Sequence, residues 1–293
     1  MYNVRKLVSI CIATVLIILA AGCVKESRGA NKKMRMSSSC KPCEKLDGFV
    51  QPGQINDEIR KMVGKYKGGS GAENVTIQKA RGVIETDLRP DFINGGECPE
   101  IDSEKWAIDY TYKRNRAALH KGIDIPQPRG TPIRAVADGV VVGKFENKNN
   151  RKGVEVMLRH TPTQTGLPYW TYSQYTHLQA MSPLPIGAQI IMGDEIGKTA
   201  NTGKMGKKIR RNALHFAILY SKLPEWSNDG VVVTPADGYF MDPNAFYRLE
   251  PPYDSQSQVM LPTDQKRVSV PYMKTDGTLV PASTKRIWPY ACK

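Results

Sequence analysis

Beyond Cys98 the apolar residues fall in short runs separated by glycine-containing turns. Val140-Val141-Val142, Val154-Glu155-Val156-Met157-Leu158, Ile190-Ile191-Met192 and Leu214 with Phe216 and Ile218 are rich in residues that suit a pleated surface. They are too short for helices that bury one face. The pattern predicts an all-β core of antiparallel strands across residues 100–250. Upstream, the period is different. Ile59, Met62, Val63 and Tyr66 recur at helical spacing, Asn56 stands where a cap belongs, and Gly68-Gly69 follows. One short amphipathic helix is therefore expected over Asn56–Tyr66. Val75–Thr86 reads as a strand region. The tail 251–293 carries Val268-Ser269-Val270 and Ile287-Trp288, and reads as a hairpin lying on the domain.

The N-terminus reads as a targeting segment. Arg5 and Lys6 precede an uncharged run from Leu7 to Ala21, which is short for a membrane span of about 20 residues. The run ends in Leu19-Ala20-Ala21-Gly22-Cys23, which looks like a bacterial lipobox. Residues 1–22 are then a signal peptide, Cys23 is the lipidated residue, and 23–45 is a polar, unstructured tether. The expected location is the cell envelope, membrane-anchored through lipid and facing the periplasm. Val24 after the cysteine, rather than Asp, points to outer-membrane sorting in a Gram-negative cell. Residues 46–99 are read as an N-terminal extension with no nameable chemistry.

Charge and cysteines refine this picture. The 293-residue chain has a formal net charge of +14. Loss of Arg5 and Lys6 with the signal leaves 40 Lys+Arg against 28 Asp+Glu, formally +12. Such a chain favours anionic partners. Export and the lack of any nucleic-acid motif leave the cell-wall polymer and lipid head groups as the expected ones, with no role for nucleic acid. Cys40, Cys43, Cys98 and Cys292 remain after Cys11 and Cys23 are set aside. Four cysteines in an oxidising compartment suit two disulfides, in any of three connectivities.

All four histidines lie between His120 and His215. The landmarks in order are His120-Lys121-Gly122-Ile123-Asp124, Ala135-Val136-Ala137-Asp138-Gly139-Val140, Tyr175-Thr176-His177-Leu178, Gly193-Asp194-Glu195-Ile196-Gly197, and Asn212-Ala213-Leu214-His215-Phe216. This order resembles the M23 family of zinc metallopeptidases, the lysostaphin-like or LytM-domain enzymes that cut peptidoglycan cross-bridges. The resemblance implies two antiparallel sheets forming a groove, with Zn2+ on its floor. It assigns His120, Asp124 and His215 as ligands and His177 as a catalytic histidine; Tyr175, two residues before His177 and so on the same strand face, is expected to line the groove. Peptidoglycan is the implied partner. His160 is read as structural. One position departs: where the family has His-x-His, this chain has Ala213-Leu214-His215. Alanine moves no proton, so the alternative is an impaired module that binds the wall or regulates another hydrolase. Arg211, two residues back, is the expected oxyanion partner.

Overall fold

In the computed structural model, residues 40–63, 72–114, 117–147, 151–204 and 211–293 are described. The signal segment, Cys23, Tyr66, Gly68-Gly69 and most of the basic stretch before Arg211 lie outside them. No helix among the described residues is long and apolar enough to cross a membrane.

The centre of the fold is a seven-stranded antiparallel sheet. Its strands are β2 (Ile123–Pro126), β4 (Gly139–Asn147), β5 (Gly153–His160), β6 (Trp170–Thr176), β7 (Gln189–Ile190), β9 (Ala213–Ser221) and β12 (Tyr239–Met241). Their order is β12-β9-β6-β5-β4-β7, with β2 also pairing β9. Smaller pairs surround it, each needing its own strands: β1 (Arg89–Phe92), β3 (Pro132–Arg134), β8 (Glu195–Lys198), β10 (Trp226–Asn228), β11 (Val233–Pro235), β13 (Arg267–Val270), β14 (Tyr272–Met273) and β15 (Leu279–Val280). The predicted apolar runs are the cores of β4, β5, β7 and β9. The sheet is mostly β-branched and aromatic because both of its faces are covered: all eight residues of β5 are buried.

Register fixes which side chains share a face, because residues directly opposite in an antiparallel pair point the same way. Val156, Tyr175, Phe216 and Ile123 form one row on the core face. The rings of Tyr175 and Phe216 meet there at 5.4 Å. The next row, Glu155, Thr176, His215 and Asp124, faces the other way.

Upstream, the helix is α1, Asp57–Met62, shorter than expected; Asn56 caps it by accepting from the Glu58 N–H at 2.8 Å. Ile59, Met62 and Val63 are buried as predicted. The expected strand over Val75–Thr86 is corrected: Ala72–Ala80 is a helix, α2, and no strand follows it before β1. Val75 and Gln78, one helical turn apart, both face the interior, and Gln78 Nε2 donates to Met62 O at 3.0 Å. That tertiary fit outweighs the β preference of the branched residues at 75–77.

The tether reading is also trimmed. Cys40–Lys45 is part of the fold: Cys40 and Cys43 are disulfide-bonded, Cys43 is fully buried, and its Sγ lies 3.8 Å from Val142 O. The tail forms more than a hairpin. β14 and β15 do pair antiparallel, but β13 runs parallel to β1, so tail and N-terminal extension share a sheet. Ile287 and Trp288 are buried outside any strand. Cys98 and Cys292 are disulfide-bonded across 194 residues.

Candidate metal centre

Three side chains meet at the end of the sheet where β2 joins β9. Asp124 lies on β2 directly opposite His215 on β9. His120 reaches them from the loop ahead of β2, so its placement comes from that loop and not from strand alternation. The separations are 2.9 Å from His215 Nδ1 to Asp124 Oδ1, 3.0 Å from His120 Nε2 to His215 Nδ1, and 3.4 Å from His120 Nε2 to Asp124 Oδ1. A tetrahedral ion with bonds of about 2.0–2.1 Å has ligand atoms about 3.3–3.4 Å apart. The cluster is close to one face of that tetrahedron.

Neighbouring residues set the orientation of each imidazole. Residues 102–110 run antiparallel beside 118–124: Asp102 N–H donates to Asp124 O (2.7 Å), Gly122 N–H to Trp106 O (3.2 Å), His120 N–H to Ile108 O (2.8 Å) and Tyr110 N–H to Ala118 O (2.8 Å). This brace brings Lys105 O to 3.2 Å from His120 Nδ1. The carbonyl requires a proton on Nδ1, which leaves the Nε2 lone pair for the centre. His215 fits because residue 122 is glycine. A Cβ there would stand 2.4 Å from Phe216 O and 2.9 Å from His215 Nε2.

Electrostatics favour a cation at this point. Burial opposes ionisation of Asp124, but hydrogen bonds and charge from His120 and His215 hold its carboxyl well below the usual range. Burial also pushes His120 down, yet Asp124 more than reverses this and its pKa ends above the usual imidazole value. Burial keeps His215 below that value despite Asp124, with the charges of His120 and Lys152 adding to the effect. Two imidazole nitrogens and a carboxylate oxygen at these distances need a proton or a metal ion between them. The N,N,O donor set fits zinc with a coordination position left open.

His177 stands beside the cluster, its ring centroid 5.9 Å from that of His215. It follows β6 with φ of +68°, a rare value for a non-glycine residue. That turn breaks the alternation of the strand. Tyr175 therefore faces the core, where its hydroxyl accepts from Val136 N–H at 3.1 Å, while His177 turns towards His215. The expectation that Tyr175 lines the groove is corrected accordingly. His177 Nδ1–H is shared between Lys152 O (2.9 Å) and Thr202 O (3.1 Å), which puts the lone pair on Nε2.

The remaining histidine is scaffold. His160 is fully buried, donates from Nδ1 to Asp138 O at 2.7 Å, and lies 2.7 Å from Ser173 Oγ through Nε2. Burial pushes its pKa down to about 4. Ala213 opens β9 and shares the face of His215, with its side chain 2% exposed. Arg211 precedes the strand and forms an ion pair with Asp102, the residue whose N–H donates to Asp124 O. Lys152, Thr202 and Lys105 were not singled out in the sequence, because each contributes a backbone carbonyl that no residue type signals.

Residues 118–234, about two-fifths of the chain, match the model of peptidase family M23. The DD-carboxypeptidase/endopeptidase Mpg of Neisseria meningitidis serogroup B is 37% identical over 86 residues, 29% of this chain and 17% of that protein. Its counterpart from Neisseria gonorrhoeae matches to the same extent. The match thus spans less than a fifth of these curated relatives. Among solved structures, LytU is 25% identical, with 54% of this chain and 88% of that chain covered and a TM-score of 0.37. The catalytic domain of lysostaphin from Staphylococcus simulans is 23% identical, with 39% and 74% covered and a TM-score of 0.29.

Proposed function

We propose that the protein is a zinc-dependent peptidase acting on peptidoglycan peptides at the cell envelope, with His120 Nε2, Asp124 Oδ1 and His215 Nδ1 as metal ligands. The observation that carries this reading is the convergence of those three atoms, at 2.9–3.4 Å, inside the stretch matching family M23. Similarity to a protein named DD-carboxypeptidase/endopeptidase supports peptide-bond hydrolysis as the reaction. Bound zinc supplies Lewis acidity that polarises the scissile carbonyl and lowers the pKa of the attacking water. The chain's own residues do the rest. Asp124, His120 and His215 would hold the ion at the sheet end beside His177. His177 Nε2 accepts the proton of the attacking water and returns it to the leaving amine.

Ala213 supports a second reading, a wall-binding or regulatory module with impaired hydrolysis. With methyl at that point, His177 is the sole histidine beside the ligands among the described residues, since His160 is committed to the scaffold. The lipobox supports anchoring through a lipidated Cys23, with the domain facing the periplasm. Metal analysis of residues 24–293, together with a muropeptide digest, separates the readings. One zinc per chain with new peptide products supports the peptidase. One zinc without products, under conditions where the chain binds wall, supports the impaired module.

A further inference from the structure

We propose that Lys152, held by Glu155, forms a subsite for a substrate carboxylate beside the metal centre. The proposal rests on the peptidase reading and names a feature of its substrate.

Glu155 is the charged residue within the apolar run of β5. Register puts it in the same row, on the same face, as Thr176, His215 and Asp124. Its side chain is 0% exposed, and neither carboxylate oxygen has a hydrogen-bond partner among the described residues. A buried carboxylate needs a cation nearby. Its ion-pair partner is Lys152, with Nζ 3.2 Å from Glu155 Oε2, and the half-buried Lys121 also feels the charge of both.

Lys152 is tied to the site at both ends. Its carbonyl oxygen receives the His177 backbone N–H at 3.1 Å and the imidazole Nδ1–H at 2.9 Å. Its ammonium charge acts on His215. The two members of the ion pair differ in access: the lysine side chain is 28% exposed and the glutamate is sealed. A ligand approaching the centre therefore meets the positive end. An ammonium fixed by a buried carboxylate is pre-set to receive an anion with little loss of side-chain freedom. Within a peptide, the group of matching charge is a carboxylate.

Geometry limits where that carboxylate lies. Glu155 and His215 are separated by one intervening strand, so their backbones are about 9–10 Å apart. The lysine head group stays within 3.2 Å of Glu155 Oε2, in the same region of the sheet. An extended peptide advances about 3.3–3.6 Å per residue. The carboxylate then belongs one or two residues from the scissile carbonyl. It is either the C-terminal α-carboxylate or the side-chain carboxylate of an acidic or diamino-dicarboxylic residue at that place.

The test uses the full zinc-loaded chain and two pairs of fluorescent peptides. One pair differs by C-terminal carboxylate against amide, the other by side-chain carboxylate against amide. Binding is read by anisotropy in a His177→Ala background, so that affinity is measured whether or not the peptide is cut. Hydrolysis is followed separately on the unaltered chain. At least one carboxylate peptide should bind about tenfold or more tighter than its amide, the scale of a charge-assisted contact. The pair that discriminates identifies the source of the carboxylate. Lys152→Met should bring the ratio close to one, Lys152→Arg should keep most of it, and Glu155→Gln should reduce it partway. Equal affinity for acid and amide in both pairs overturns the proposal, as does a preference that survives Lys152→Met. The acid–amide comparison needs no Lys152 variant, so a misfolded Lys152→Met leaves it decisive. A carboxylate preference without any hydrolysis supports the subsite and sinks the peptidase reading instead. Hydrolysis without preference does the reverse.

Discussion

Replacing His177 should separate proton transfer from metal binding and from stability. The imidazole donates one proton to two carbonyls, Lys152 O and Thr202 O, and the backbone sits at φ of +68°. His177→Ala takes that shared hydrogen bond from two half-buried carbonyls, at about 1–3 kcal/mol, while Lys152 O keeps the His177 backbone N–H. Alanine also tolerates a left-handed backbone less well than histidine, adding about 1 kcal/mol. A loss of about 2–4 kcal/mol is within the 5–15 kcal/mol stability typical of a domain, so the variant should fold. His177→Asn should lose less, since asparagine accepts positive φ and its amide offers N–H donors. Neither residue carries a proton at neutral pH. Turnover should therefore fall about 10²–10⁴-fold in both, equal to about 2.7–5.5 kcal/mol of activation free energy. The assay combines thermal melts by circular dichroism, zinc content by mass spectrometry, and initial rates on a muropeptide. Matched rate losses, unequal melting temperatures and one zinc per chain are expected. A rate within threefold of the unaltered chain in either variant would refute the role given to His177.

The other expectations test separate parts of the fold. His120→Ala, Asp124→Ala and His215→Ala should each abolish stoichiometric zinc, as measured by equilibrium dialysis; a variant that keeps one zinc per chain removes that residue from the ligand set. Ala213→His should raise turnover, by up to about 10²-fold, by adding a second proton carrier; an unaltered chain and a variant that are both inert with zinc bound would count against the peptidase reading. Burial outweighs the Thr86 and Asn244 hydrogen bonds and pushes Asp242 up to about 7. A folded pKa above the unfolded value of 3.8 means stability is full below about pH 4 and declines as pH rises towards 7, so Asp242→Asn should raise the melting temperature more at pH 8 than at pH 5. Equal shifts at both values would show that Asp242 is ionised at pH 5 in the folded chain. Reducing Cys98–Cys292 frees a loop spanning 194 residues and should cost at most about 5 kcal/mol, seen as a lower melting temperature in a reducing buffer.

The strands of the sheet were legible because β-branched runs between glycine turns have few other solutions. The helix Ala72–Ala80 was not, since Val75, Thr76 and Ile77 prefer strands locally and only packing against α1 decides the matter. The convergence of His120, Asp124 and His215 could be read from their order in the chain. The strand-alternation argument placed Tyr175 with His177, and it failed at one dihedral angle, the positive φ of His177. The Lys152–Glu155 pair left no pattern either. Its meaning depends on the register that sets Glu155 opposite Thr176, and register is a property of paired strands. The brace over 102–110 was equally hidden, because backbone groups make its bonds and its side chains follow no period.

That brace lies outside the matched stretch 118–234, yet it orients His120. It begins just after Cys98, whose disulfide partner, Cys292, lies beyond every residue of the centre. The staple therefore closes only after ribosomal synthesis has passed the whole site, and only where thiols oxidise. Clamping of the segment beside the centre is in this way tied to synthesis beyond Cys292 and to the redox environment. A nascent or reduced chain holds His120, Asp124 and His215 but lacks the covalent clamp near the segment that orients His120.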